Sequence, residues 1–191
     1  MSEVEADQPS MRADAQRNRE SILKAARTMV GKHGTEASLR GIARDAGVGL
    51  GTLYRHFPNR DELLQEILRS NFDELAEKAR ILVSSENPLE ALENWMDEVA
   101  ASTSEFQGLA ASMIEKRMDP QSPLHASCSS LKQSGDALVR RAQQAKRLRA
   151  DIDGADIISL VSAIAWLADL EGLKPTRRKR LLNLLMEGLK E

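Results

Sequence analysis

Apolar residues recur three and four positions apart along most of this chain, the spacing of one face of an α-helix. The first such stripe is Ile22, Ala25, Ala26, Met29 and Val30, which predicts a helix over residues 14–33 stopped by Gly34. Leu39, Ile42, Ala43 and Ala46 predict a short helix over 38–46, with Ser38 as its N-cap and Gly47 as its stop. A second short helix starts near Leu50, buries Leu53 and Phe57, and ends before Pro58, which penalises helical geometry in the residue ahead of it. Asn59 then caps a longer helix carrying Leu63, Leu64, Ile67, Leu68, Phe72 and Leu75. Residues 84–88 are the best boundary signal in the chain.

Beyond Pro88 the stripes lengthen. Leu89, Leu92, Met96, Val99, Thr103 and Phe106 share a face, and Gly108 ends it. A shorter helix with Leu109, Met113 and Ile114 stops by Pro120. From about Ser122 a long helix places Leu124, Cys128, Leu131, Gly135, Leu138, Ala142 and Ala145 on one stripe. Residues 155–170 are apolar on nearly every side, so that helix needs cover on more than one face. A last helix over 176–189 adds Leu181, Leu182, Leu185, Met186 and Leu189. Paired with a second copy, these last two helices form a four-helix dimer interface, with Ile157, Leu160, Val161, Ile164, Leu181, Leu185 and Leu189 as the expected contacts.

The expected fold is therefore all-α. A disordered tail (1–13) precedes a helix-turn-helix head (14–70). A connecting helix and linker (71–87) leads to an antiparallel helical body (88–191). Composition agrees: aromatic residues make up 3% of the 191, and Ala, Leu, Glu and Arg dominate. The net charge of −2 does not suggest a nucleic-acid partner, but its distribution does. Residues 12–60 hold ten Lys or Arg against four Asp or Glu, while the rest of the chain holds 17 against 25. A basic head on an acidic body is the electrostatic footprint of a DNA-binding module. The single cysteine excludes an internal disulfide and fits a reducing cytoplasm. The N-terminus carries no leader-like apolar run, and no stretch reads as a membrane span.

The second short helix concentrates the candidate chemistry. Thr52, Tyr54, Arg55 and His56 occupy its outward face, and each can donate a hydrogen bond to a phosphate oxygen. Gly49 and Gly51 leave the helix start without bulk, which suits a helix that enters a major groove.

Residues 38–57, SLRGIARDAGVGLGTLYRHF, resemble the helix-turn-helix of the TetR (tetracycline-repressor-like) transcription regulators. The matching features are Ile42-Ala43, Ala46-Gly47-Val48 and, above all, Gly51-Thr52-Leu53-Tyr54-Arg55-His56-Phe57. The likeness extends back to Ile22-Leu23 and Ala25-Ala26 and forward to Arg60 and Leu63-Leu64, roughly the first third of the chain. It implies a homodimeric, ligand-responsive repressor on a palindromic DNA operator. Ser38, Thr52, Tyr54, His56 and Arg60 are then expected on the DNA backbone. Arg40, Arg44, Leu50, Gly51 and Arg55 are expected at base edges, with Leu50 suited to a thymine methyl.

The effector is not carried by the likeness; a largely apolar small molecule is expected. Trp95, Met96, Phe106, Met113, Met118 and Trp166 are the bulky residues that either fill the body's core or line an effector pocket. His125 and Cys128 lie one turn apart, but two ligands do not make a metal site, and Cys128 falls on the apolar stripe. The run Arg177, Arg178, Lys179 and Arg180 reads as a solvated helix start, and Gly41 as a tolerated surface glycine. No phosphate-binding Gly loop, nucleophile elbow or zinc motif is present, so neither an enzyme nor a cofactor is expected. The rival readings are a non-sequence-specific architectural DNA binder and a helical protein-interaction module. Sequence-selective binding and its loss in Tyr54→Ala separate them from the repressor.

Overall fold

The structure is a computed structural model. It describes residues 8–106, 108–170, 172 and 174–191, with the side chains of 8–11 and of Asp169 excepted. Among these residues there are ten α-helices and no strand. Chain contacts divide the molecule into two units, Met1–Ile67 and Leu68–Glu191, so the boundary falls inside the fourth helix.

The first unit holds α1 (Gln8–His33), α2 (Leu39–Asp45), α3 (Leu50–His56) and the first turns of α4 (Arg60–Leu82). The tail expected over 1–13 is helical from Gln8 onward, and its first seven residues lie outside the described ones. Ile22, Ala26 and Val30 of α1 are buried with Ile42, Ala43, Leu53, Phe57, Leu63 and Ile67. Ser38 caps α2 by accepting a hydrogen bond from the Gly41 amide at 3.2 Å. Gly47 turns the chain between α2 and α3 at φ +70°, a conformation that costs glycine little.

Gly41 is a packed position, contrary to the surface reading. A Cβ there would lie 3.1 Å from the Met29 methyl, so α2 comes close to α1 at this residue and any side chain would have to push the methionine tip aside. Arg19 is also drawn inward. Its guanidinium pairs with Glu66 at 2.8 Å and sits 5.3 Å above the Phe57 ring.

The second unit continues α4 and adds α5 (Pro88–Glu105), α6 (Leu109–Ser112), α7 (Ile114–Met118), α8 (Pro123–Gln144), α9 (Gly154–Leu170) and α10 (Pro175–Leu189). Asn87 and Ser122 cap α5 and α8, each accepting a backbone N–H bond ahead of a first-turn proline. The core gathers Leu75, Leu92, Trp95, Met96, Val99, Leu138, Val161 and Met186. Trp95 is fully buried, and its indole N–H donates to the Leu75 carbonyl at 2.9 Å. Around it the backbone comes close. A Cβ on Gly135 would stand 2.6 Å from the Trp95 ring, and one on Gly154 would stand 2.4 Å from the Asp136 amide nitrogen. Helix α8 can therefore pass over the indole, and α9 over α8, only because both positions lack a side chain.

Candidate functional site

In the first unit, α3 is a two-turn helix held by Leu53 and Phe57 with its other faces open. Tyr54 and Arg55 are exposed, Thr52 and His56 half-buried, and Gly51 has nothing within 4 Å of where a Cβ would stand. Arg55 donates to the Thr52 hydroxyl at 2.8 Å, which aligns the guanidinium along the helix. Leu50, the first residue of α3, is half-buried. Arg40 and Arg44 stand exposed on α2, Arg44 leaning on Asp45 at 3.3 Å. The Ser38 oxygen caps α2, and its hydroxyl hydrogen remains able to donate.

Arg60 is placed differently from the rest of the expected DNA set. Its Nη1 donates to the carbonyls of Thr35 and Ala37, both at 2.7 Å, and the side chain is half-buried. It thus clips the turn ahead of α2 onto the start of α4, a structural role the sequence pattern does not reveal.

In the second unit a cavity of about 510 Å³ opens between α4, α5, α6, α7, α8 and α9. Leu68, Phe72, Phe106, Leu131, Ile158 and Trp166 supply its apolar wall. Of the six bulky candidates, Phe106, Met118 and Trp166 line it. Trp95 and Met96 are fully buried in the core, and Met113 is buried away from the wall. The indole hydrogen bond and the close α8 backbone fix Trp95 there. Cys128 is half-buried on this wall rather than packed in the stripe of α8. His125 also lines it, its Nδ1–H donating to the Arg117 carbonyl at 2.9 Å. Among the described residues no group of three or more His, Cys, Asp or Glu could hold a metal ion.

The apolar helix α9 divides its faces out of step with the sequence expectation. Ile157 and Val161, expected at a dimer interface, are buried within the chain, as is Leu189 of α10. Packing of α9 against α5 and α8 claims that face. Leu160, Trp166, Leu167 and Leu170 are exposed instead, with Leu184 on α10; Ile164, Leu181 and Leu185 are half-buried. In the basic run, Arg178 donates to the Ser104 hydroxyl at 2.8 Å and its three neighbours are exposed.

Residues 22–67 match the family model of bacterial regulatory proteins of the tetR family. Residues 87–191, more than half of the chain, match the C-terminal domain of SbtR-like transcriptional regulators. The chain belongs to the TetR family. Solved structures of the family share its fold. The TetR transcriptional regulator SCO0520 from Streptomyces coelicolor is 30% identical, with a TM-score of 0.71 over 90% of this chain and 98% of that one. A TetR transcription regulatory protein from Mycobacterium vanbaalenii is 29% identical, with a TM-score of 0.71 over 95% and 99%. An HTH-type transcriptional regulator of Staphylococcus aureus (strain USA300) is 38% identical over 64 residues, 33% of this chain and 35% of that protein. The match therefore spans about a third of the curated relative's length. For a TetR-family chain the first unit is the DNA-binding helix-turn-helix, and the chain is a DNA-binding transcription regulator. No described helix is long and apolar enough to cross a membrane.

Proposed function

We propose that this chain is a ligand-responsive repressor that binds a two-fold-related DNA operator as a homodimer. The observation that carries the reading is α3, a short helix with an open start and Thr52, Tyr54 and Arg55 on an unobstructed face. Such a helix fits a major groove, where an arginine distinguishes guanine through its O6 and N7. Arg55, Arg40, Arg44, Leu50 and Gly51 are assigned to base edges. Ser38, Thr52, Tyr54 and His56 are assigned to the backbone. Arg60 is left out because its Nη1 serves the turn before α2.

A second copy is supported by the uncovered apolar residues Leu160, Trp166, Leu167 and Leu170 of one helix. Water-exposed apolar surface of that kind marks an association face. An isologous pair would present two α3 helices to two half-sites. An effector in the cavity acts only through the difference in its affinity for the DNA-competent and DNA-incompetent states. A preference of a few kcal/mol, about 5.5 at the extreme, is enough to invert occupancy.

The test is selection of bound sequences from a random duplex pool at near-physiological salt. One enriched inverted repeat is the expected result. Arg55→Ala then relaxes one position of each half-site by about 1–3 kcal/mol, and Tyr54→Ala weakens all sequences alike. Binding that is indifferent to sequence and collapses with salt would make the chain an architectural DNA binder instead.

A further inference from the structure

The cavity wall has a one-sided charge. Its ionisable members are Arg117, Lys132 and His125 besides the Cys128 thiol, with no Asp or Glu among the described lining residues. Yet Asp and Glu outnumber Lys and Arg in the chain, 29 to 27. The bias therefore belongs to the site and not to the composition. Among the described residues neither Arg117 nor Lys132 is in an ion pair. Arg117 is half-buried, and the hydrogen bond from His125 to its carbonyl ties the end of α7 to α8. The backbone that carries the cation is thus anchored at the wall.

A second polar element of the wall is buried. Asn71 is 8% exposed, and its amide nitrogen donates to the Ser102 hydroxyl at 2.6 Å. Both residues line the cavity. An amide offers an acceptor oxygen and two N–H donors, and this bond uses only one of the three. With the amide turned over, the oxygen would take the serine hydrogen and the NH2 would be left. In either orientation one end of a buried amide lines the cavity without a partner among the described residues. Buried polar groups in native proteins are almost always satisfied, so this end of the amide is free to meet a ligand's polar atom.

The geometry points to an amphipathic organic anion as the effector: an apolar body in the aromatic part of the cavity, an acid group held by Arg117 and Lys132, and a hydrogen-bonding atom that meets Asn71. A cavity of about 510 Å³ admits a ligand of roughly twenty non-hydrogen atoms. This assignment rests on the reading of the body as an effector-binding domain, and it replaces the expectation of a largely apolar ligand with one that carries a charge.

The experiment is a fluorescence titration of the full chain with two probes that share a ring system. The first, 8-anilinonaphthalene-1-sulfonate, is anionic; N-phenyl-1-naphthylamine lacks the sulfonate. The anion is expected to bind on the order of tenfold tighter, because hydrogen bonds to charged groups are the stronger kind. In the Arg117→Gln/Lys132→Gln double variant that preference disappears, while the neutral probe binds as before and so reports an intact fold. Equal affinities in the native chain overturn the proposal without any variant, as does an anion affinity indifferent to the double substitution. Polarisation of a labelled duplex of the selected operator is read in the same titration. Anion-selective binding that leaves duplex affinity untouched would sink the ligand-responsive reading, and with it the word effector, and would keep only the anion-selective site. Release by the neutral probe as readily as by the anion would do the reverse.

Discussion

The two units of this chain carry their chemistry in opposite ways. In the head, the groups assigned to DNA come from two consecutive short helices and the residue that caps the first, and eight consecutive residues, 49–56, hold six of the nine. In the body, the cavity draws on six helices and on residues from Leu68 to Trp166. A site confined to one short stretch needs particular residues at particular spacings. A site assembled from distant stretches needs only that their side chains converge. The curated relative matches this chain over 64 residues and no further, while the fold likeness covers nine-tenths of it.

The sharpest way to break the comparison is to damage the body's packing and leave the head's surface alone. Trp95→Ala removes the largest buried side chain and its hydrogen bond to Leu75. The expected cost is about 3–5 kcal/mol, the usual range for deleting a buried aromatic ring. Against a typical domain stability of about 5–15 kcal/mol that is a large share. Thermal unfolding followed by far-UV circular dichroism should show the midpoint fall by many degrees. Tyr54→Ala, on an exposed face, should leave the midpoint where it was. Equal losses from the two substitutions would mean that the tyrosine packs rather than reads.

Arg60 decides how cleanly the head separates reading from support. Arg60→Ala deletes two hydrogen bonds to carbonyls, and at a half-buried site the expected loss of stability is about 1–2 kcal/mol. If the residue is a clip, operator affinity falls with stability, and the slope of log affinity against log salt stays the same. A phosphate contact would instead lower that slope by about one, with the midpoint unchanged. Chemical denaturation and a salt series on the same variant give both numbers.

Helix existence and phase were legible wherever a stripe was regular. Leu89, Leu92, Met96 and Val99 are buried as their spacing predicts, and Gly47 and Gly108 turn the chain at positive φ where a stop was expected. Three features were not legible, each for a reason in the physics. Arg60 and Arg19 carry charge, and periodicity treats charge as solvated; only the folded backbone brings Thr35, Glu66 and Phe57 within their reach. Helix α9 is apolar around its circumference, so its sequence has no phase to say that Ile157 and Val161 turn inward while Trp166 and Leu167 turn out. The glycines at 41, 135 and 154 mark close helix crossings, and a crossing exists only between two stretches that the sequence keeps apart.

The smallest effect belongs to the loop between α8 and α9. Arg149 grips Asp151 with two nitrogens, at 2.5 and 2.7 Å, and its backbone N–H donates to the Leu189 carbonyl at 3.0 Å. The hydrogen bond from Arg149 holds the Asp151 carboxyl below the ordinary aspartate range, and the same bond raises the Arg149 guanidinium. A depressed carboxyl stabilises the fold above its unfolded pKa, and that stability is lost as pH falls through the folded value. Asp151→Asn should therefore lower the thermal midpoint slightly at neutral pH, and the gap to the native chain should close in acid. Both side chains are exposed, so solvent screens most of the attraction. A gap that persists unchanged in acid would assign it to loop geometry, through the backbone bond to Leu189, rather than to charge. The sign of the acid limb thus separates two contributions that the distances alone leave superimposed.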